Sequence, residues 1–117
     1  MRNYITIKKN EDFRKVYGAR TSKANRLLIM YIQKNGTNEN RFGISVSKKI
    51  GNSIVRHRLT RVIRECIRRN TDSFVSGYDI VIVARPDLKG CGYVETLSAL
   101  LHVSKIHGIL KKDDVNG

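Results

Sequence analysis

The sequence predicts an α+β two-layer sandwich, a small mixed sheet with helices packed mainly on one side. Three observations predict it. Segments 26–33, 41–47 and 78–84 are rich in β-formers; the stretch 54–69 between the second and third is periodic as a helix is; and further helical patterns lie at 11–17 and 94–110. The element order is therefore α-β-β-α-β-α. A chain of 117 residues buries one core and not two, so residues 1–117 read as a single domain with 1–6 and 111–117 as loose ends.

Asn10 is placed to cap the first helix, with Glu11 and Asp12 at the positive end of its dipole and Gly18 as a stop after Tyr17. The segments "RLLIMYIQ" and "RFGISVS" flank the turn-like "KNGTNEN" and read as an antiparallel hairpin. The unbroken apolar run "YDIVIVA" suits a strand covered on both faces, and Pro86 ends it. In the last segment Leu97, Leu100, Leu101, Val103 and Leu110 recur at helical spacing and close the core. Helix 54–69 joins two strands that can lie parallel.

That helix is the most informative stretch. Within "GNSIVRHRLTRVIRECIRRN" six arginines and a histidine surround a single acid, Glu65. At 100° per residue, Val55, Leu59, Val62, Ile63, Cys66 and Ile67 share one arc, which is the core face. His57, Arg61, Arg64 and Arg68 line the opposite side over roughly 16 Å, with Arg58, Glu65 and Arg69 beside them. Like charges at i, i+3 and i+4 repel, and an ordinary solvated face interleaves acids to relieve this. Arginine rather than lysine suits bidentate contact with phosphate. The stripe reads as a phosphate-backbone surface, which positions a nucleic acid without reading its sequence.

The whole chain agrees, because 23 lysines and arginines against 10 acids leave a net charge of +13 that favours a polyanionic partner. No apolar run approaches the roughly 20 residues of a membrane-spanning helix, and the N-terminus has no signal-peptide core, so a membrane partner is not expected and the location reads as cytoplasmic. Cys66 and Cys91 form no CxxC pair and read as free thiols; His102 and His107, five apart, point in different directions. No protein-held metal or cofactor is expected. The acids are scattered, without a pair spaced for a two-metal carboxylate site.

A second feature involves aromatic residues. Phe13 and Tyr17 share a face of the first helix and Tyr31 lies on the first long strand, where they serve either as core or as stacking partners for unpaired bases. In the second strand Phe42, Ile44 and Val46 face one way, while Gly43, Ser45 and Ser47 face the other and leave a shallow polar floor. Lys48 and Lys49 continue the positive surface towards the basic helix, and Lys8, Lys9, Arg20, Lys23 and Arg26 lie around the first helix.

Taken together, "KKNEDFRKVYGARTSKANR" and "RFGISVSKKIGNSIVRHRLTRVIRECIRR" resemble the bacterial ribonuclease P protein subunit, over about residues 8–86. Arg56, Arg58, Arg61, Arg64 and Glu65 match that family's "RNR" and "KR..RE" motifs, whereas His57 replaces an asparagine and Thr60 a lysine. The resemblance implies a left-handed strand-helix-strand crossover, in a fold like the second domain of ribosomal protein S5, where ordinary chirality predicts a right-handed one. It implies that Arg56, His57, Arg58, Arg61, Arg64, Arg68, Lys48 and Lys49 bind the catalytic RNA of ribonuclease P. It also implies that Phe13, Tyr17, Tyr31, Ser45 and Ser47 line a cleft for the single-stranded 5′ leader of precursor tRNA. Catalysis then belongs to the RNA subunit and its Mg2+, with no catalytic residue on the protein and no DNA partner.

Three rival readings stand beside it. A ribosomal-type RNA-binding module accounts for the charge but not the cleft. A helix-turn-helix DNA binder needs a short helix before the basic one, where a strand and "KKIGN" stand instead. An independent nuclease with His57 as base lacks a partner for that histidine.

Overall fold

The computed structural model describes residues 5–111. Five strands form one mixed sheet in the order β1-β4-β5-β3-β2, comprising β1 (Ile5–Thr6), β2 (Ser22–Ala24), β3 (Leu28–Lys34), β4 (Arg41–Ser45) and β5 (Tyr78–Ala84). The helices are α1 (Asn10–Gly18), α2 (Ser53–Arg69) and α3 (Tyr93–His107). β4 pairs parallel with β5, which is what the crossover through α2 requires.

The expected hairpin is not there. β3 and β4 do not pair with each other; both pair with β5, the first antiparallel and the second parallel. The physical reason lies in β5 itself, whose residues from Asp79 to Ile82 are all buried, so only the sheet centre covers both of its faces. Two short strands escaped the sequence reading. Ile5–Thr6 falls in the expected N-terminal loose end yet pairs parallel with β4, and Ser22–Ala24 pairs antiparallel with β3. At the other end, Leu110 bridges to Phe74 and the Lys111 amide donates to Ser73, while residues 112–117 lie outside the described residues.

Side chains alternate across the sheet and divide the core in two. On one face Leu28, Met30, Ile32, Phe42, Ile80 and Ile82 pack under α2 and α3, which contribute Leu59, Ile63, Ile67, Leu100 and Val103. On the other face α1 covers a much smaller patch centred on Ile7, Val16 and Val81. The core arc expected for α2 holds, with Val55 and Val62 only partly covered.

The helix ends show how local chemistry sets the boundaries. Asn52 caps α2, its side chain accepting the Val55 amide at 3.0 Å. Glu95 accepts the Gly92 amide at 2.8 Å at the start of α3, and Gly108, at φ 74°, stops that helix short of the expected residue 110. For α1, Lys9 rather than Asn10 is the N-cap, with no side-chain hydrogen bond. Its left-handed terminating residue is Arg20, at φ 58°, and Gly18 remains helical.

Candidate nucleic-acid interface

Within α2 the cations divide according to what already holds them. His57, Arg61 and Arg64 are exposed, and among the described residues no hydrogen bond or ion pair engages their side chains. Arg56 and Arg58 are half-buried and docked on backbone carbonyls, Arg56 Nε on Gly51 at 3.3 Å and Arg58 Nη1 on Cys91 at 3.1 Å. Thr60 turns inward along the helix, its hydroxyl donating to the Arg56 carbonyl at 2.8 Å. Its uncharged side chain adds nothing to the positive stripe.

Arg68 is different. Its Nε and Nη2 donate to the two Glu65 carboxylate oxygens at 3.0 and 2.6 Å, and Arg69 Nε adds a third bond at 2.9 Å. The Arg68 hydrogen bonds, with those of Arg69, hold the Glu65 carboxyl down to about 2 against the opposing effect of desolvation. Arg69 also lies 5.4 Å above the Tyr93 ring. The stripe that no partner among the described residues engages thus runs from His57 to Arg64 and ends where Arg68 and Arg69 share one carboxylate.

Lys48 and Lys49 are exposed on the turn that leads from β4 into α2. The turn is fixed from inside: Ile50 is buried, its amide donates to the Ser47 carbonyl, and the Lys49 amide donates to Ser47 Oγ at 3.2 Å. Gly51 is needed there because a Cβ would meet Val55 Cγ1 at 2.9 Å. Both lysines are therefore held at the N-terminal end of the stripe.

The aromatic residues lie on the opposite face of the sheet. Phe13 and Tyr17 have ring centroids 6.4 Å apart, and Tyr17 meets Tyr31 edge-on at 4.8 Å. All three are half-buried, so they are neither core nor free surface. Gly43 lets the Phe13 ring rest directly on the sheet backbone, since a Cβ there would be 2.8 Å from the ring. Strand register builds the floor in rows: Ser22, Tyr31, Val81 and Gly43 are aligned across four strands, and so are Ala24, Ile29, Val83 and Ser45. The second row is incompletely covered, with Ala24 exposed and Ile29, Val83 and Ser45 half-buried. Ser47 is exposed just past the end of β4.

Ala24, Ile29 and Val83 were not picked out from the sequence, because their place in the cleft depends on which strands are neighbours. Arg85 was also missed; it is exposed at the same end of the sheet, its Nη1 donating to the Asn25 carbonyl at 2.9 Å. The two surfaces meet at the C-terminal end of β4, where Ser45 and Ser47 lead straight to Lys48 and Lys49.

The remaining chemistry-bearing groups have structural partners. His107 Nε2 bonds the Met30 carbonyl at 2.7 Å, and His102 Nδ1 lies 3.1 Å from Asn25 Nδ2. Both cysteines are free thiols; burial pushes the Cys66 thiol up to about 11, and Cys91 is half-buried. Among the described residues no three His, Cys, Asp or Glu side chains gather as a metal site, and no helix is long and apolar enough to cross a membrane.

The family model for ribonuclease P matches residues 1–107. The ribonuclease P protein component of Lachnoclostridium phytofermentans is 50% identical over 109 residues, covering 93% of this chain and 94% of the relative. That of Clostridium botulinum strain Langeland is 46% identical over 104 residues, covering 88% and 94%. Among solved structures, the RNase P protein of Staphylococcus aureus superposes with a TM-score of 0.84 at 34% identity, over 93% of this chain and all of that one. The RNase P protein of Thermotoga maritima gives 0.79 at 28% identity, over 86% of this chain and 96% of that one.

Proposed function

The chain belongs to the ribonuclease P protein family, and from that premise we propose that it binds the catalytic RNA of ribonuclease P through α2 and the 5′ leader of precursor tRNA through the aromatic cleft. The observation that carries this reading is the pairing of two distinct surfaces joined at one end of β4. Arg61 and Arg64, with Lys48 and Lys49, offer a folded RNA cations that no partner among the described residues engages, His57 lies beside them, and Arg56 and Arg58 flank them from fixed positions. Phe13, Tyr17 and Tyr31, over the floor that includes Ser45, offer stacking edges and an open groove to a single strand.

In this reading the holoenzyme hydrolyses one phosphodiester to release the mature tRNA 5′ end, in the cytoplasm. The RNA subunit supplies the chemistry together with the Mg2+ it binds. The protein's contribution is electrostatic and geometric. Cations on α2 reduce the ionic strength needed to bring two RNAs together, and the cleft adds contacts that mature tRNA lacks, so substrate is favoured over product. His57 stands where the family has asparagine and can still both donate and accept in its neutral form.

The test is precursor-tRNA cleavage at low magnesium by the cognate RNA subunit, with and without the protein, beside a protein-only control. Stimulation with an inert control is the expected result. Tight RNA binding without stimulation would leave only a general RNA-binding module.

A further inference from the structure

Arg41 opens β4 and reaches two carboxylates from opposite sides. One is Asp79, its register partner on β5, which is only 5% exposed and takes hydrogen bonds from Arg41 Nε at 2.9 Å and from Nη2, with a third from Asn35 Nδ2 at 3.0 Å. Burial opposes the charge on Asp79, yet these bonds outweigh it and hold the carboxyl below its ordinary value. The other carboxylate is Asp12, whose Oδ2 lies 3.6 Å from Arg41 Nη1. Asp79 belongs to the central strand, so the guanidinium is a fixed post, and what it holds on its free side is the first turn of α1.

α1 has little else to hold it there. Its single fully buried residue is Val16, in the last turn, and the patch beneath it is small. At its C-terminal end Tyr17 rests on Tyr31, but the N-terminal turn has no side-chain cap. Phe13 follows Asp12 directly and sits over the Gly43 backbone at the edge of the small Ile7, Val16 and Val81 patch, so its seat depends on where the first turn of α1 is held.

We propose that Arg41 is a positioning residue for the leader cleft, seating the first turn of α1 through Asp12 and so fixing Phe13 over Gly43 and the width of the groove beside Ile29 and Val83. The inference rests on the leader-cleft reading given above. Its direction opposes simple electrostatics. Asp12 lies on a helix with Arg14 and Lys15 and follows Lys8 and Lys9, so neutralising it adds net positive charge beside the RNA and by charge alone tightens precursor binding. A positioning role predicts the reverse.

The experiment compares precursor and mature tRNA binding to holoenzyme assembled with the normal protein and with Asp12→Asn, Asp12→Glu or Tyr31→Ala. Asp12→Asn should reduce the preference for precursor about five-fold, the scale of one partly exposed ion pair, with affinity for the RNA subunit unchanged. Asp12→Glu, which keeps the charge within reach of Arg41, should restore most of it. Precursor affinity equal to or above normal in Asp12→Asn, with Tyr31→Ala showing its expected loss, overturns the positioning role alone. If Tyr31→Ala also leaves the preference intact, the leader-cleft reading itself fails and the inference falls with it.

Discussion

Replacing Arg61 by alanine should flatten the salt dependence of RNA-subunit binding, and replacing Arg68 should do so far less. Each phosphate contact made by a cation contributes about 0.7 to 0.9 to the slope of log K against log salt, through release of condensed counterions. Arg61 is exposed and engaged by no side-chain bond among the described residues, so it should supply one full contact. Over a fourfold rise in salt its loss makes the fall in affinity about three-fold smaller than normal. Arg68 already has a bidentate carboxylate partner in Glu65, at 3.0 and 2.6 Å, which a phosphate would have to displace. Its removal should leave the slope within about a third of one contact of normal. Glu65→Gln should then steepen the slope by releasing Arg68 and Arg69. The assay is equilibrium binding of labelled RNA subunit across a salt series. Equal decrements from Arg61→Ala and Arg68→Ala would refute the argument that the local pairing matters. No decrement from Arg61→Ala would refute the phosphate-surface assignment.

Other outcomes follow from the cleft and the core. Tyr31→Ala should lower affinity for precursor tRNA while sparing mature tRNA, by about 1 to 3 kcal/mol if one base stacks there, as competition binding would show. Gly43→Ala should force the Phe13 ring off the sheet, because the new methyl would lie 2.8 Å from it. A cost of about 1 kcal/mol in urea denaturation is expected, largely absent when Phe13→Ala is also present. His107 offers a pH test: burial lowers its pKa below 6.5, so the fold favours the neutral ring. The stability this gives is complete above the unfolded pKa and is lost as pH falls through the folded one. His107→Gln should therefore flatten the decline in melting temperature as pH falls below about 6.5, and an unchanged profile would remove His107 as a source of that decline.

Local pattern was readable where one element decides its own environment. The 3.6-residue repeat in α2 separated its buried face from its cations, and the apolar run of β5 identified a strand covered on both sides. The same strand defeated the hairpin reading, since a turn-like loop between two β-rich segments says nothing of a third strand inserted between them. The two shortest strands carry too few residues for any alternation to register. At the site, single-residue chemistry identified the stripe and the aromatics and set Glu65 beside the stripe as its one acid, but spacing alone does not decide which arginines share that carboxylate, since Arg61, Arg68 and Arg69 all stand three or four residues from it. The row of Ala24, Ile29, Val83 and Ser45, and the grip of Arg41 on Asp12 and Asp79, depend on long-range register and could emerge only once the sheet order was known.

The central place of β5 also governs how the protein comes into being on the ribosome. With residues 1–77 outside the ribosome, β2 has β3 to pair with and β1 has β4, but nothing joins these two halves until Tyr78–Ala84 emerges. The nascent chain therefore carries two unsatisfied strand edges and a complete arginine helix without its sheet. Such edges invite intermolecular pairing, and closing a sheet through distant segments is slow. The +13 charge works against that hazard by making neighbouring chains repel one another. A substitution that weakens β5 should accordingly be felt first as poor yield of folded protein during synthesis, before any loss is measurable in the purified holoenzyme.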